Sequence, residues 1–228
     1  IRVTDVAFNG ISILDAKSSM KAKSVTVKKA TENGIYMGDV EGSLLVAGKI
    51  DIDTVGGNGI DNNIGAKITA HNIAVANVTQ YNGIANNNGG TIDVRHHITI
   101  DNIGGTTTDL YQGNGLFNQK GMIEVGGNVT ITNVTTSGYS NNNSNNGLCG
   151  KGSYFIGGDL KIEGVSAGHG VFLTTTGVVH VFGNATVNNV STQGKNGIYV
   201  ADASGKNVCN FTAVNVTMTS IGGNGVHL

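Results

Sequence analysis

Residues 114–134 read NGLFNQKGMIEVGGNVTITNV, and three features of this stretch recur along the chain. It opens on Asn114-Gly115 followed by an aliphatic residue, continues through the short run GMIEVGG, and closes on VTITNV. The glycines of the first feature are Gly10, Gly34, Gly59, Gly83, Gly115, Gly147, Gly170, Gly197 and Gly225. Ile, Leu or Val follows each of them, and Asn precedes all but Gly170, which follows His169. Successive intervals are 24, 25, 24, 32, 32, 23, 27 and 28 residues. A period in this range is the mark of a solenoid, in which each repeat is one supersecondary unit that buries its apolar face only against its neighbours.

The closing feature recurs in step: IRVTDV from Ile1, VTVKKA from Val25, IDIDTV from Ile50, IAVANV from Ile73, ITIDNI from Ile98, VTITNV from Val129, LKIEGV from Leu160, ATVNNV from Ala185 and VTMTSI from Val216. Its first three positions alternate with period two, which predicts a strand with one buried face. Position five holds Asp, Lys, Thr, Asn, Asn, Asn, Gly, Asn and Ser in turn, mostly turn-formers, so the strand is expected to bend there. A third strand precedes each motif, with inward pairs such as Leu44 and Val46, Ile92 and Val94, or Tyr154 and Ile156. The expected fold is all-β: a single solenoid over residues 1–228, with about eight coils of three short strands.

Composition agrees. Gly numbers 36 of 228, Pro is absent, apolar residues make up 39 % and charged residues 13 %. A narrow solenoid buries few side chains per coil, and its turns absorb Gly and Asn; the regular Val/Ile alternation argues against disorder. The net charge of −1 has no basic stripe, so no nucleic-acid partner is expected. No apolar run approaches a membrane span, so this segment is not expected to insert in a bilayer. No cofactor is expected. The chain starts on a repeat strand and stops inside another, which suggests a segment of a longer protein. Cys149 and Cys209 fall on different strands about two coils apart, so a disulfide is not expected.

Three strands per coil, Asn-Gly turns and runs such as GGNVTITNV (Gly126–Val134) and GGTIDV (Gly89–Val94) resemble the right-handed parallel β-helix of autotransporter passengers and filamentous-haemagglutinin-like bacterial surface adhesins. The resemblance implies a secreted rod on a bacterial cell surface. Its partner would be a glycan or protein on a host or neighbouring cell. A self-assembling extracellular filament module is the alternative. A β-helix polysaccharide lyase or hydrolase is a third reading, and several features weigh against it. Gly168-His169-Gly170 resembles a motif of pectin-cleaving hydrolases, but the Asn-Thr-Asp and Asp-Asp motifs that accompany it there are missing. Asp51 with Asp53, and Asp93 with Glu124, are the nearest carboxylate pairs, and neither has a third acidic ligand for calcium. The chain is therefore read as non-enzymatic. His96 and His97 are sequence neighbours on opposite faces and do not chelate one ion easily.

Stacked coils would align Asn9, Asn33, Asn58, Asn82, Asn114, Asn146, Asn196 and Asn224 as a structural side-chain ladder, with His169 a substituted rung. The residue two after each such Gly is Ser12, Tyr36, Asp61, Ala85, Phe117, Cys149, Phe172, Tyr199 and His227, which from Phe117 onward forms a largely aromatic outward row. Two long insertions, 104–114 and 135–146, leave consecutive coils at one corner. With Asp109, Tyr111, Gln112, Tyr139, Asn141 and Asn142 they suit sugar or protein recognition alongside Phe117, Phe172 and Tyr199.

Overall fold

The computed structural model describes residues 1–15, 17–38, 42–107, 111–135, 137–138, 144–201 and 209–228; of residues 106, 107, 137 and 138 it describes the backbone alone. Every regular element among these is a β-strand. The strands form a 15-stranded sheet, a nine-stranded sheet and a two-stranded ribbon. All pairings are parallel and join each strand to its equivalent in the next repeat, an arrangement consistent with a parallel β-helix.

Each recurring sequence feature maps onto one strand family. The residues after Asn-Gly form the nine-stranded sheet, from Ile11–Ile13 through Leu116–Asn118 to Val226–His227. The six-residue motif and the strand before it together form the larger sheet. In two repeats the chain runs through both without a break, as Ser43–Val55 and Lys67–Val78. The first of these has one residue more at the corner than the second, and a register shift between the Val46–Ala70 and Lys49–Asn72 pairs absorbs it.

The inward aliphatic residues stack in register. Val27, Ile52, Val75, Ile100, Ile131, Ile162 and Val187 are paired in succession and fully buried, and Met218 at the end of the row is half-buried. Together with the inward residues of the other two families they make one continuous apolar core. Burial of such side chains contributes roughly 1.5–3 kcal/mol each, before the entropy of ordering the chain.

The bend at position five is a left-handed backbone residue in all nine repeats. Asp5, Lys29, Thr54, Asn77, Asn102, Asn133, Gly164, Asn189 and Ser220 have φ between 54° and 75°. Asn, Asp and Gly tolerate that region; Lys29 and Thr54 are held in it by the pairing on either side, Lys28 with Asp53 and Ala30 with Val55. The Asn-Gly corner has another cause. A Cβ on Gly115 would lie 2.4 Å from Ile131 Cγ2 and 2.7 Å from the Gly147 carbonyl oxygen, so the turn packs on the core at a distance only glycine allows.

Candidate functional site

Polar side chains line the repeat corners as ladders. In the first ladder Asn33 N–H donates to Asn9 Oδ1 at 3.0 Å, Asn58 N–H to Asn33 Oδ1 at 2.7 Å, Asn82 N–H to Asn58 Oδ1 at 2.9 Å and Asn114 N–H to Asn82 Oδ1 at 3.0 Å. It continues through Asn146 N–H to Asn114 Oδ1 at 2.9 Å and His169 N–H to Asn146 Oδ1 at 2.7 Å. Asn196 N–H then donates to His169 Nδ1 at 2.9 Å, and Asn224 N–H to Asn196 Oδ1 at 2.8 Å. His169 thus serves as the acceptor that asparagine supplies elsewhere, which requires an unprotonated Nδ1. Burial, with Lys195 and His227 nearby, holds its pKa down at about 3.

A second ladder lies inside the core and was not anticipated from the sequence. Asn62 Nδ2 donates to Asn86 Oδ1 at 2.7 Å, and Asn86 Nδ2 to Asn118 Oδ1 at 3.0 Å. Each amide also donates to a carbonyl of its own turn: Ala66, Gly90 and Gly121 respectively. The ladder begins at Met37, the register partner of Asn62, and Asn62 Oδ1 is buried there without a hydrogen-bond donor. It ends at Gly150, the partner of Asn118, where the buried Tyr154 hydroxyl donates to the Cys149 carbonyl instead. The signal was present as Asn three residues past the Gly in three consecutive repeats.

The outward row after each Asn-Gly is more covered than its sequence suggests. Phe117 and Phe172 are each only 3 % exposed, and with Ala85 and Cys149 they form a small second core. The expectation of outward contact aromatics is corrected at these two positions. Tyr111 stacks on Phe117 at 5.4 Å between ring centroids, and Tyr199 and His169 stack on Phe172 at 5.4 and 5.7 Å. Neighbouring rings in one row hide one another's faces, and Tyr199, beyond Phe172, is half-buried. Cys149 and Cys209 both remain thiols, and burial pushes the Cys149 thiol well above its ordinary range.

Ala85 interrupts this row. Its register partners are Asp61 on one side and Phe117 on the other, and the missing side-chain volume leaves a groove of about 390 Å³. Tyr81 and Tyr111 flank it, Asn87, Gln112 and Gln119 line it, and Asp61 supplies a carboxylate. That carboxylate is oriented by two amides, since Asn63 Nδ2 and Asn87 Nδ2 each donate to Asp61 Oδ1 at 3.0 Å. Lys151 Nζ donates to the Tyr111 hydroxyl at 3.0 Å and fixes the ring over Phe117. Tyr111 itself has a left-handed φ of 65°, which turns the end of the first insertion back over the row.

Of the residues picked out in the insertions, the structure brings Tyr111 and Gln112 to this groove. Asp109, Tyr139, Asn141 and Asn142 lie outside the described residues. The two insertions do meet: Thr106–Thr107 pairs in parallel with Ser137–Gly138, and Asn145 N–H donates to the Gln112 carbonyl at 3.1 Å. Tyr81, Asn87 and Gln119 were missed as site residues because they sit in ordinary-length turns, and Asp61 was read only as a member of the outward row.

The carboxylate pairs sit on the open outward face. Asp51 and Asp53 are half-buried and ion-paired with Lys49 at 2.9 Å and Lys28 at 3.7 Å. The Asn77 amide holds the Asp53 carboxyl below its usual range. Asp93 and Glu124 are register partners on neighbouring strands. Among the described residues no three His, Cys, Asp or Glu side chains converge as metal ligands. Comparison with protein-family models, with curated proteins and with solved structures finds no match.

Proposed function

We propose that the chain is a right-handed parallel β-helix of about eight coils that serves as an adhesive rod on a bacterial surface, and that it binds neutral glycan chains in the groove at Ala85. The autotransporter-like repeat wording motivates the surface role. The single observation behind the binding role is the groove itself: two tyrosines, five primary amides and one amide-oriented carboxylate around a small-residue gap. Tyrosine faces suit the C–H faces of sugar rings, and amides with a carboxylate suit their hydroxyls. The Asp61 charge disfavours uronic and sialic acids by like-charge repulsion. The rod is read as non-catalytic. The Asp93 and Glu124 pair lies on a solvent-facing strand, away from the desolvated surroundings that set up a carboxyl general acid.

Ala85→Phe tests this directly. Phenylalanine already occupies the equivalent position in Phe117 and Phe172, so the substitution suits the fold and fills the gap. On an array of neutral and acidic glycans the parent should bind neutral chains, and the variant should lose that binding by more than about tenfold while its thermal midpoint stays within a few degrees. Equal binding by the two chains would remove the groove from the account. A filament module remains a second reading because Phe155 on the larger sheet, and Phe182 and Val214 at the corners beside it, are 37, 59 and 67 % exposed.

A further inference from the structure

The larger sheet carries a second groove, of about 490 Å³, lined by Leu45, Thr69, His71, Asp93 and Arg95 among others. At its edge two imidazoles from consecutive repeats come together. His71 and His96 have ring centroids 4.2 Å apart at an interplanar angle of 40°, and the backbones are tied by His96 N–H donating to the His71 carbonyl at 2.9 Å. His96 is exposed and His71 half-exposed. His97 is differently placed. Its ring centroid is 5.9 Å from that of His96, its N–H donates to Asn72 Oδ1, and its Nδ1 accepts from Asn128 N–H at 3.0 Å. It takes one place in a corner ladder whose neighbouring places are asparagines.

We propose that His71 and His96 form a two-imidazole clamp for a borderline transition-metal dication, Cu²⁺ or Zn²⁺, with water completing the coordination shell. Two rings bound to one ion through nitrogen at about 2.0–2.1 Å have centroids only a little farther apart than these two. Rotation about their side-chain bonds suffices to turn both nitrogens toward a shared point. The clamp is pre-organised, because parallel pairing fixes two residues 25 positions apart in sequence side by side. Imidazole nitrogen selects Cu²⁺ and Zn²⁺ over Ca²⁺ and Mg²⁺, which prefer oxygen. Asp93 supplies a negative charge in the same groove and Arg95 a positive one, so the field favours no hard cation there.

The test is calorimetric titration of the tag-free chain at pH 7.5 with ZnCl₂ and with CuSO₄, and with CaCl₂ and MgCl₂ as comparators. One saturable equivalent of Zn²⁺ and of Cu²⁺ is expected, with none of Ca²⁺ or Mg²⁺. His71→Ala and His96→Ala should each weaken it by more than about tenfold. His97→Asn, which keeps an acceptor for Asn128, should leave it unchanged. Substoichiometric Cu²⁺ should broaden the imidazole proton resonances of His71 and His96 before those of His97. Absence of saturable binding overturns the proposal. So does binding that survives loss of either clamp histidine, or that is lost in His97→Asn.

Discussion

His169 shows how one residue can carry a pH dependence. Its ring is buried, with Lys195 and His227 nearby, so the folded chain keeps it neutral down to about pH 3, whereas an unfolded histidine takes up its proton near pH 6.5. Between these values the unfolded chain holds one more proton than the folded chain. Stability from this site is therefore complete above about pH 6.5 and falls as the pH drops towards 3, by up to about 1.4 kcal/mol per unit. The ring is 2 % exposed and packs against Phe172 and Tyr199, with Lys195 and His227 as its titratable neighbours. His169→Asn restores the ladder residue of the other repeats and removes the dependence. Urea unfolding of both chains should give a constant difference above pH 7.5 and a gap that widens in favour of the variant below pH 6.5. A pH-independent gap would contradict the ladder role of the ring. Sequence alone places His169 in the asparagine slot; its nitrogen geometry comes only from the stacked structure. The inner ladder of Asn62, Asn86 and Asn118 was legible in principle. It was overlooked because an Asn closing a three-residue strand reads as the start of a turn.

The elements were the most legible level, because two periodicities agree: strand alternation within each repeat and the roughly 25-residue spacing between repeats. The Asn-Gly corner carries the sharper demand. Gly115→Ala should cost about 1–3 kcal/mol, since the added methyl meets both a core side chain and the next turn's carbonyl. Gly104→Ala is the control: there the nearest atom to an added Cβ is Thr135 Oγ1 at 3.6 Å, and the change should stay within about 0.5 kcal/mol. Denaturant midpoints compare the two, and an equal cost would mean that glycine content rather than close approach matters. The groove was legible only in part. Long insertions drew attention to Tyr111 and Gln112, but the gap that makes the groove is an absence of side chain at Ala85. Tyr81, Asn87 and Gln119 reach it from turns of ordinary length, a three-dimensional convergence that spacing does not reveal.

At the scale of the molecule, each repeat pairs with the one before and the one after. Stability should then be close to a sum over repeats and their interfaces. Excising residues 60–83 removes one whole period and joins Gly59 to Ile84, which takes the place that Ile60 holds in the preceding repeat. The shortened chain should fold with an unchanged β-sheet circular dichroism signature and a scattering length reduced by about 4.8 Å. Loss of cooperative unfolding would show that distant repeats are coupled. The same nearest-neighbour pairing has a mechanical side. The backbone hydrogen bonds of every strand point from repeat to repeat, along the line a tether would be pulled. Tension between the two ends therefore meets these bonds end-on, one row at a time, rather than sharing load across many rows in shear. The chain would yield from its ends in discrete steps. Each step releases one repeat of roughly 25 residues and lengthens the tether by about 80 Å. A chain of this construction gives length under load before its remaining repeats come apart.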